Sequence, residues 1–162
     1  MSESAGDPVQ VLDQILARIT DPIIKQIGLY WRGKIKAGLL PKRADIDPLE
    51  IRPLLPHVIL WDVERDPMRF RGRLVGSHII EMSGRDATNH YVDFIDDRGV
   101  IEAEYRATAE SGLPRYNERR AHWPNHDYKY YARLLLPLAQ DGRKVDMLFG
   151  AINTIADLPG RR

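Results

Sequence analysis

Two segments near the start of the chain carry hydrophobic residues at helical spacing. Each begins with an aspartate followed by a proline, Asp7-Pro8 and Asp21-Pro22. This pair signals a helix start, because aspartate caps the first turn and proline fits its first position. The first segment has these apolar positions: Val11, Leu12, Ile15, Leu16 and Ile19. The second helix is predicted over residues 22–37, ended by Gly38, although Pro22 also allows one kinked helix.

The next segment is rich in proline, with four prolines between residues 41 and 56. Within it, "DPLEIRPLL" predicts one short helix that Asp47 caps and Pro48 begins. From His57 the pattern changes to that of strands. "HVILWDVE" is rich in β-branched and aromatic residues, and "RFRGRLVG" has the alternating side-chain pattern of a strand. Asp66-Pro67 between them predicts a hairpin turn.

Helical spacing returns in the middle of the chain. "SHIIEMSG" predicts one or two helical turns, "YVDFI" another short turn, and residues 98–112 a longer helix. In that longer helix, Ile101, Tyr105 and Thr108 share one stripe, and Gly112 ends the helix. Three strands follow, "PRYNERRAHW", "YKYYARLLLPLAQ" and "KVDMLFGAINTI". The Asp141-Gly142 pair predicts a hairpin between the last two.

This order of elements predicts an α+β fold. Two hairpin-linked strands, a helical crossover and three further strands form one five-stranded antiparallel sheet with helices on one face. We therefore predict a disordered N-terminus over residues 1–7, an N-terminal helical extension over 8–40 and the sheet domain over 41–158.

Three blocks of the sequence resemble a known family. They are "LPKRADIDPLEIRPLLPHVILWDV", "RFRGRLVGSHIIEMSGRD" and "ARLLLPLAQDGRKVDMLFGAIN", and they are similar to small bacterial single-PAS-domain proteins. The matching positions are Trp31, Leu40, Pro41, Arg43, Ile46, Asp47, Pro48, Arg71, Arg73, Leu74, Val75, Gly76, Gly84, Arg85 and Asp86. Ser83 departs from the phenylalanine that is frequent in the family. The resemblance spans residues 30–155 and implies a PAS-like fold with a sensing or protein-interaction role, but it implies no particular cofactor or activity.

Composition narrows the possible classes of protein. The chain has 162 residues, 24 Lys plus Arg against 23 Asp plus Glu, and no cysteine. A net charge of +1 argues against nucleic-acid binding by bulk electrostatics. The missing cysteines exclude disulfides, thiolate nucleophiles and cysteinyl–flavin chemistry. No apolar run has the length of a membrane span and no signal peptide precedes the domain, so we expect a cytoplasmic protein.

The arginines of the second strand have two interpretations. Arg71 and Arg73 share a face of a regular strand. If that face lines a cavity, the guanidinium of Arg73 is suited to a carboxylate or phosphate. The alternative, and the commoner case, is an internal ion pair with Asp47, Asp62 or Asp86 that supports the scaffold.

Metal and haem binding are both disfavoured. His122 and His126 are four residues apart, but Pro124 and Asn125 between them disfavour a helix and no third ligand has a diagnostic spacing. The predicted long helix contains no histidine to hold haem. His78 and His90 lie on the short turns nearby.

The run "RYNERRAHWPNHDYKYYAR" has the composition of a single-strand nucleic-acid platform, with Tyr116, Trp123 and Tyr130 as stacking groups. Glu118 and Asp127 weaken such a surface, and two adjacent strands with one solvated face explain the composition equally well. We predict no nucleic-acid partner.

Catalytic motifs are missing from the sequence. It has no Gly-x-Ser-x-Gly and no phosphate-binding glycine loop. A small cone-fold isomerase or hydrolase stays as an alternative, because Asp62, Tyr105, His122 and Tyr131 are suitable groups.

The N-terminal helices carry more apolar surface than a sheet edge needs. They either pack on the outer face of the same sheet or pair with a second copy. We favour a homodimer whose interface uses these helices.

We therefore predict a non-enzymatic sensory or adaptor protein. A small molecule lies between the helix 98–111 and the sheet, and the signal passes through the N-terminal helices to an unknown signalling protein. The candidate ligand-binding residues are Arg73, Ile79, Met82, Tyr105, His122 and Tyr131. We expect no kinase, cyclase or DNA-binding output on this chain. A pure interaction or dimerisation domain without a ligand is the closest alternative.

Overall fold

The fold is one five-stranded antiparallel sheet with helices on both of its faces. The computed structural model describes residues 6–96, 98–123 and 130–156. The helices are α1 (Pro8–Leu16), α2 (Pro22–Arg32), α3 (Ser77–Ser83) and α4 (Val100–Ser111). The strands are β1 (Val58–Glu64), β2 (Arg69–Val75), β3 (Arg115–Arg120), β4 (Tyr130–Leu138) and β5 (Met147–Ile155), in the spatial order β2-β1-β5-β4-β3. The predicted fold class is confirmed.

Three 3₁₀-helical segments within the described ranges connect these elements: Arg43–Asp45, Pro48–His57, which is kinked at Ile51, and Val92–Phe94. The second corresponds to the short helix predicted from "DPLEIRPLL". Its Asp47 accepts a hydrogen bond from the backbone N–H of Leu49 at 3.0 Å, and Pro53 and Pro56 lie inside it. Proline removes the backbone donor that an α-helical turn requires, so the tighter 3₁₀ geometry takes its place.

The aspartate–proline pairs begin α1 and α2 as predicted. The carboxylate of Asp7 accepts from the N–H of Val9 at 3.1 Å, and that of Asp21 accepts from the N–H of Ile24 at 3.0 Å. The predicted end of α2 at Gly38 is wrong, because the helix stops at Arg32 and Gly33 follows as its cap. Gly38 instead occupies a turn with a φ of 72° that joins bridge partners Lys36 and Leu39.

Strand β4 shows how both faces of the sheet are covered. Its side chains are buried along almost the whole strand. Arg133 contacts Tyr105 of α4, with 5.7 Å between the guanidinium carbon and the ring centre. Its neighbour Leu134 points the opposite way, so that a Cβ added to Gly28 of α2 would lie 3.3 Å from a methyl group of Leu134. Helix α4 therefore covers one face of the sheet and α2 the other.

The N-terminal helices bury the apolar surface that the sequence placed on them. These side chains are buried: Leu12, Ile15, Leu16, Ile19, Ile24, Ile27 and Trp31. The Nε1–H of Trp31 donates to the carbonyl of Pro137 at 3.0 Å, and the side-chain amide of Asn153 donates to Asp21 at 2.9 Å. Of the two predicted alternatives, the structure therefore shows the N-terminal helices packed on the sheet, on the face opposite α4. The homodimer stays a prediction, and the apolar stripe no longer argues for it.

Strand β2 approaches the chain that follows α3 very closely at Gly72. The Gly72 N–H donates to the carbonyl of His90 at 2.8 Å, and its carbonyl accepts from the N–H of Asn89 at 2.8 Å. A Cβ on residue 72 would lie 2.2 Å from the backbone oxygen of Ala87. A backbone cannot move aside as a flexible side chain does, so residue 72 has to be glycine for this contact to form.

Gly72→Ala is expected to destabilise the protein by about 1–3 kcal/mol, the usual effect of overpacking. Urea unfolding of both proteins measures the difference. Gly33→Ala is the matched control, because its new Cβ would lie 3.5 Å or more from its neighbours. Equal stability of the two variants would contradict the close approach at Gly72.

Candidate functional site

A buried ion pair lies between α4 and the sheet. Nη1 of Arg133 donates to Oε1 of Glu104 at 3.3 Å, and the two side chains are 4% and 6% exposed. The other carboxylate oxygen of Glu104 accepts two bonds from Arg119, through Nε at 2.8 Å and through Nη2. Arg119 is 42% exposed, so Glu104 joins a buried arginine to one that reaches the surface.

Aromatic rings surround Arg133. Its guanidinium carbon lies 5.2 Å from the ring centre of Tyr131 and 5.7 Å from that of Tyr105. Burial works against the charge of Arg133, but Tyr131, Tyr105 and Glu104 outweigh burial and raise the pKa of the guanidinium above its ordinary value. Arg133 is therefore a permanent cation inside the core.

Three buried polar atoms on this side of the sheet have no hydrogen-bond partner among the described residues. They are Nε1 of Trp61, the hydroxyl of Tyr105 and Nε of Arg133. Their side chains are neighbours, since the Trp61 and Tyr105 rings are 5.2 Å apart in an edge-on contact. Buried donors are normally satisfied, so an unpartnered group there calls for an explanation. We name Trp61, Glu104, Tyr105 and Arg133 the interior polar cluster.

All three unpartnered groups present hydrogen-bond donors. The indole N–H and the arginine Nε–H can only donate. Burial raises the pKa of Tyr105 to about 12, so its hydroxyl keeps its proton at physiological pH. The interior polar cluster is therefore suited to a group that accepts hydrogen bonds.

Four of the six predicted ligand-binding residues lie in the core. Ile79 and Met82 of α3 are 5% and 0% exposed, and Tyr105 and Tyr131 are 0% and 7% exposed. The structure brings Tyr105 and Tyr131 together around Arg133. The role of these four side chains in binding stays a prediction.

The other two predicted residues lie elsewhere. Arg73 is 62% exposed, and its Nη2 lies 3.2 Å from the carboxylate of Asp62. Asp62 is one of the partners predicted for the arginines, but the pair is at the surface and not internal. Alternation along β2 is kept, with Arg69, Arg71 and Arg73 exposed on one face and Phe70 and Gly72 buried on the other, so the arginine face is the open one. His122 is exposed on the chain after β3.

The sequence reasoning missed Trp61, Glu104 and Arg133. A signal was present in "YYARLLLPLA", because one arginine inside an otherwise apolar strand requires a buried anion. Glu104 is adjacent to Tyr105 and one helical turn before Thr108, on the stripe of α4 that faces the sheet. Neither residue forms a recognised motif, so only the pairing of helix and strand reveals them.

The arrangement predicted for a cone-fold enzyme is not present. Asp62 is next to Trp61 on β1, so its side chain leaves the opposite face of the sheet from the interior polar cluster. Tyr105 and Tyr131 therefore lack Asp62 as a neighbour. Tyr131 stacks instead on Trp123, with 4.9 Å between the ring centres.

A first cleft of about 300 Å³ lies beside the start of α4. Its lining includes Arg69, Phe70, Tyr91, Asp93, Asp96 and Glu102. Arg69 stacks on the Tyr91 ring at 3.5 Å, and the Tyr91 hydroxyl donates to Glu64 at 3.0 Å. Phe70 separates this cleft from the interior, since its ring also meets Tyr105 edge-on at 5.7 Å.

A second cleft of about 420 Å³ lies on the other side of the same helix, between α4 and β3. Its lining includes Arg98, Gly99, Glu104, Arg115, Asn117 and Arg119. We name it the arginine cleft. It meets the interior polar cluster at Glu104, which contacts Arg119 on the cleft side and Arg133 on the core side.

His57 and His78 form a ring contact of 4.5 Å where the 3₁₀-helix Pro48–His57 meets α3. Burial lowers the pKa of His57, and the nearby His78 lowers it further, against the effect of a hydrogen bond to the Ile152 carbonyl. The folded protein thus binds a proton at His57 less readily than the unfolded chain.

Neutral His57 is expected to contribute its full stabilisation above pH 6.5, the ordinary pKa of histidine. The free energy of unfolding should then fall as the pH drops below 6.5. Urea unfolding between pH 7.5 and 5.5 measures this slope. His57→Gln should reduce the slope, whereas His122→Gln, at an exposed site, should leave it unchanged. Equal slopes for the wild type and the His57 variant would contradict the prediction.

No group of three or more His, Cys, Asp or Glu residues with metal-binding geometry occurs among the described residues. None of the helices in the described ranges is long and apolar enough to cross a bilayer. His126 and Asp127, which belong to the predicted metal alternative, lie outside these ranges.

The chain matches a family model and is similar to nine chains of known structure. The family model described as a PAS domain matches residues 19–153. Among solved structures, the chain is similar to the N-terminal domain of a diguanylate cyclase with PAS/PAC sensor from Marinobacter aquaeolei. That alignment has a TM-score of 0.43 and 17% identity and covers 61% of this chain and 95% of that chain. The comparison with curated proteins finds no match.

Proposed function

The chain belongs to the PAS domain family, and from this premise we propose that it is a sensory domain that binds a small molecule beneath α4. PAS domains in general have a sensory or adaptor role in signalling and are not catalytic. The interior polar cluster lies under α4 on the sheet. The small molecule is one that accepts hydrogen bonds.

One observation carries this proposal: three buried donors have no protein partner. Trp61, Tyr105 and Arg133 present these donors from β1, α4 and β4, and the ring of Tyr105 contacts both of the other side chains. An unpartnered buried donor costs about 1–3 kcal/mol. A bound acceptor recovers that free energy, and a ligand that does so stabilises the folded state.

Access to this region involves the first turns of α4. The two clefts flank the start of this helix, and Gly99 lines both of them. Gly99 has a φ of 74°, a conformation that suits glycine and lets the chain turn sharply into the helix. A movement of the first turns about Gly99 would open the interior toward either cleft.

The signal would leave through β4. Arg133 faces α4 and its neighbour Leu134 faces α2, so a change under α4 reaches the N-terminal helices through a single strand. The outer surface of these helices is then the place for a partner protein or a second copy. The predicted homodimer is one form of this output.

Native mass spectrometry of protein purified without added ligand, with a visible absorption scan, tests the proposal. We expect a bound mass, or a mass recovered when cell extract is added, that is lost in the Arg133→Met variant. Tyr105→Phe should weaken the bound species without lowering the stability of the free protein, because the hydroxyl has no partner there.

An adaptor domain without a ligand is the second candidate, because the interior is closely filled. Trp61, Phe70 and Tyr105 are each almost completely buried. In that case the mass is that of the chain alone in buffer and in extract. Ordered water would then satisfy the three donors, and the ligand proposal would be overturned.

A further inference from the structure

We infer that the arginine cleft is a binding site for a small dianion, separate from the interior polar cluster. The ligand class is a molecule that carries a phosphate or two carboxylates. The cleft volume of about 420 Å³ lies in the range of small-molecule sites. The cleft lies on the surface between α4 and β3. Neither membership of the PAS family nor the proposed interior ligand explains why arginines line it.

Strand β3 directs three donors into the cleft. Arg115, Asn117 and Arg119 alternate along the strand, so they share the face that meets α4. The contact of Arg119 with Glu104 fixes which face this is. Arg98 comes from the other side of the cleft, immediately before α4. Guanidinium groups from two elements therefore converge on one space.

Charge favours an anion of charge two. Three arginines and one glutamate line the cleft, which leaves two positive charges in excess. The carboxylate of Glu104 is already occupied by Arg119 and Arg133. The guanidinium groups of Arg98 and Arg115 have no hydrogen bond or ion pair to any other residue that the structure describes. Two planar guanidinium groups without a partner can each donate paired hydrogen bonds to the oxygens of a phosphate or carboxylate.

Arg119 connects this site to the core. It bonds Glu104 through Nε and Nη2, and its Nη1 takes no part in these bonds. An anion in the cleft can therefore contact Arg119 from the open side while Glu104 stays bound. Occupancy would fix Arg119, which is 42% exposed, against α4.

Isothermal titration with inorganic phosphate and with succinate tests the site, and sodium chloride at equal ionic strength is the reference. Saturable binding of either anion is expected. The anion that binds more tightly shows whether the site prefers a phosphate or a pair of carboxylates. Arg98→Ala and Arg115→Ala should each weaken binding by about tenfold or more, the loss expected when a charged hydrogen bond is removed. Both side chains are exposed, so the variants should fold.

Arg120→Ala is the matched control. Arg120 is the next residue of β3 and points to the other face, so binding should stay within about twofold of the wild type. Tyr105→Phe should also bind as the wild type does, which separates this site from the interior. The inference is overturned if chloride reproduces the heat, if Arg115→Ala binds normally, or if Tyr105→Phe removes the binding.

Discussion

Glu104→Ala is expected to lower the free energy of unfolding by about 3–5 kcal/mol, the cost of leaving a buried charge without its partner. Arg133 is 4% exposed and bonds the carboxylate of Glu104. Its pKa is raised, so the guanidinium cannot lose its proton to escape the cost. Denaturant unfolding followed by tryptophan fluorescence measures the change.

Glu102→Ala is the matched control on the same helix. Glu102 pairs with Arg106 at 3.3 Å, but the side chains are 43% and 40% exposed, so the loss should be under about 1 kcal/mol. The double variant Glu104→Met, Arg133→Met removes both charges and should recover most of the stability. A Glu104 variant no less stable than the Glu102 variant would show that the pair is not buried in solution.

Trp31→Ala is expected to destabilise the protein by about 3–5 kcal/mol, the range for large aromatic residues cut back in a core. Trp31 is 0% exposed, and its indole N–H donates to the Pro137 carbonyl across the outer face of the sheet. The substitution creates a cavity and leaves that carbonyl with one partner fewer. Urea unfolding of the full chain measures the effect.

Arg32→Ala is the control for Trp31. Arg32 is the next residue of α2, and its ion pair with Asp13 at 2.7 Å is 42% and 49% exposed. The loss there should be small beside that at Trp31, because an exposed ion pair contributes little to stability. If the Trp31 variant lost no more than that, α1 and α2 would be an appendage to the sheet. The expected loss makes them part of its core, whatever partner their outer surface meets.

Local patterns were sufficient to predict most of the fold. The aspartate–proline pairs gave the starts of α1 and α2, and Gly112 gave the end of α4. Alternation predicted β2, and β-branched and aromatic residues predicted β1. These features depend on residues close together in the sequence, where capping and turn preferences decide the outcome.

The errors came from contacts between distant residues. Gly38 is typical of a helix end, yet α2 stops six residues earlier at Arg32 and Gly38 forms a turn beside the Lys36–Leu39 bridge. Arg73 was predicted to line a cavity or to form an internal ion pair, but the face of β2 that carries Arg69, Arg71 and Arg73 is exposed. Alternation separates the two faces of a strand, whereas the packing of the sheet decides which face is covered.

In the candidate site too, local patterns were predictable and contacts between distant residues were not. Tyr105 was predicted from its helical stripe, and Tyr131 was named with it as a candidate binding residue; the binding role of both stays a prediction. Glu104 and Arg133 are 29 residues apart and have meaning only as a pair. The sequence alone indicates that Arg133 requires an anion. Which carboxylate supplies it depends on how the helix packs on the sheet.

The spatial order of the strands leaves β2 and β3 at the two edges of the sheet. Both are rich in arginine: Arg69, Arg71 and Arg73 lie on β2, and Arg115, Arg119 and Arg120 lie on β3. The chain after α3 covers part of the β2 edge at Gly72, so β3 is the more open of the two. An open edge with unpaired backbone groups invites another strand to pair with it, and like charges on both edges oppose this. The arginines thus protect the protein from growing into strand-paired aggregates at high concentration.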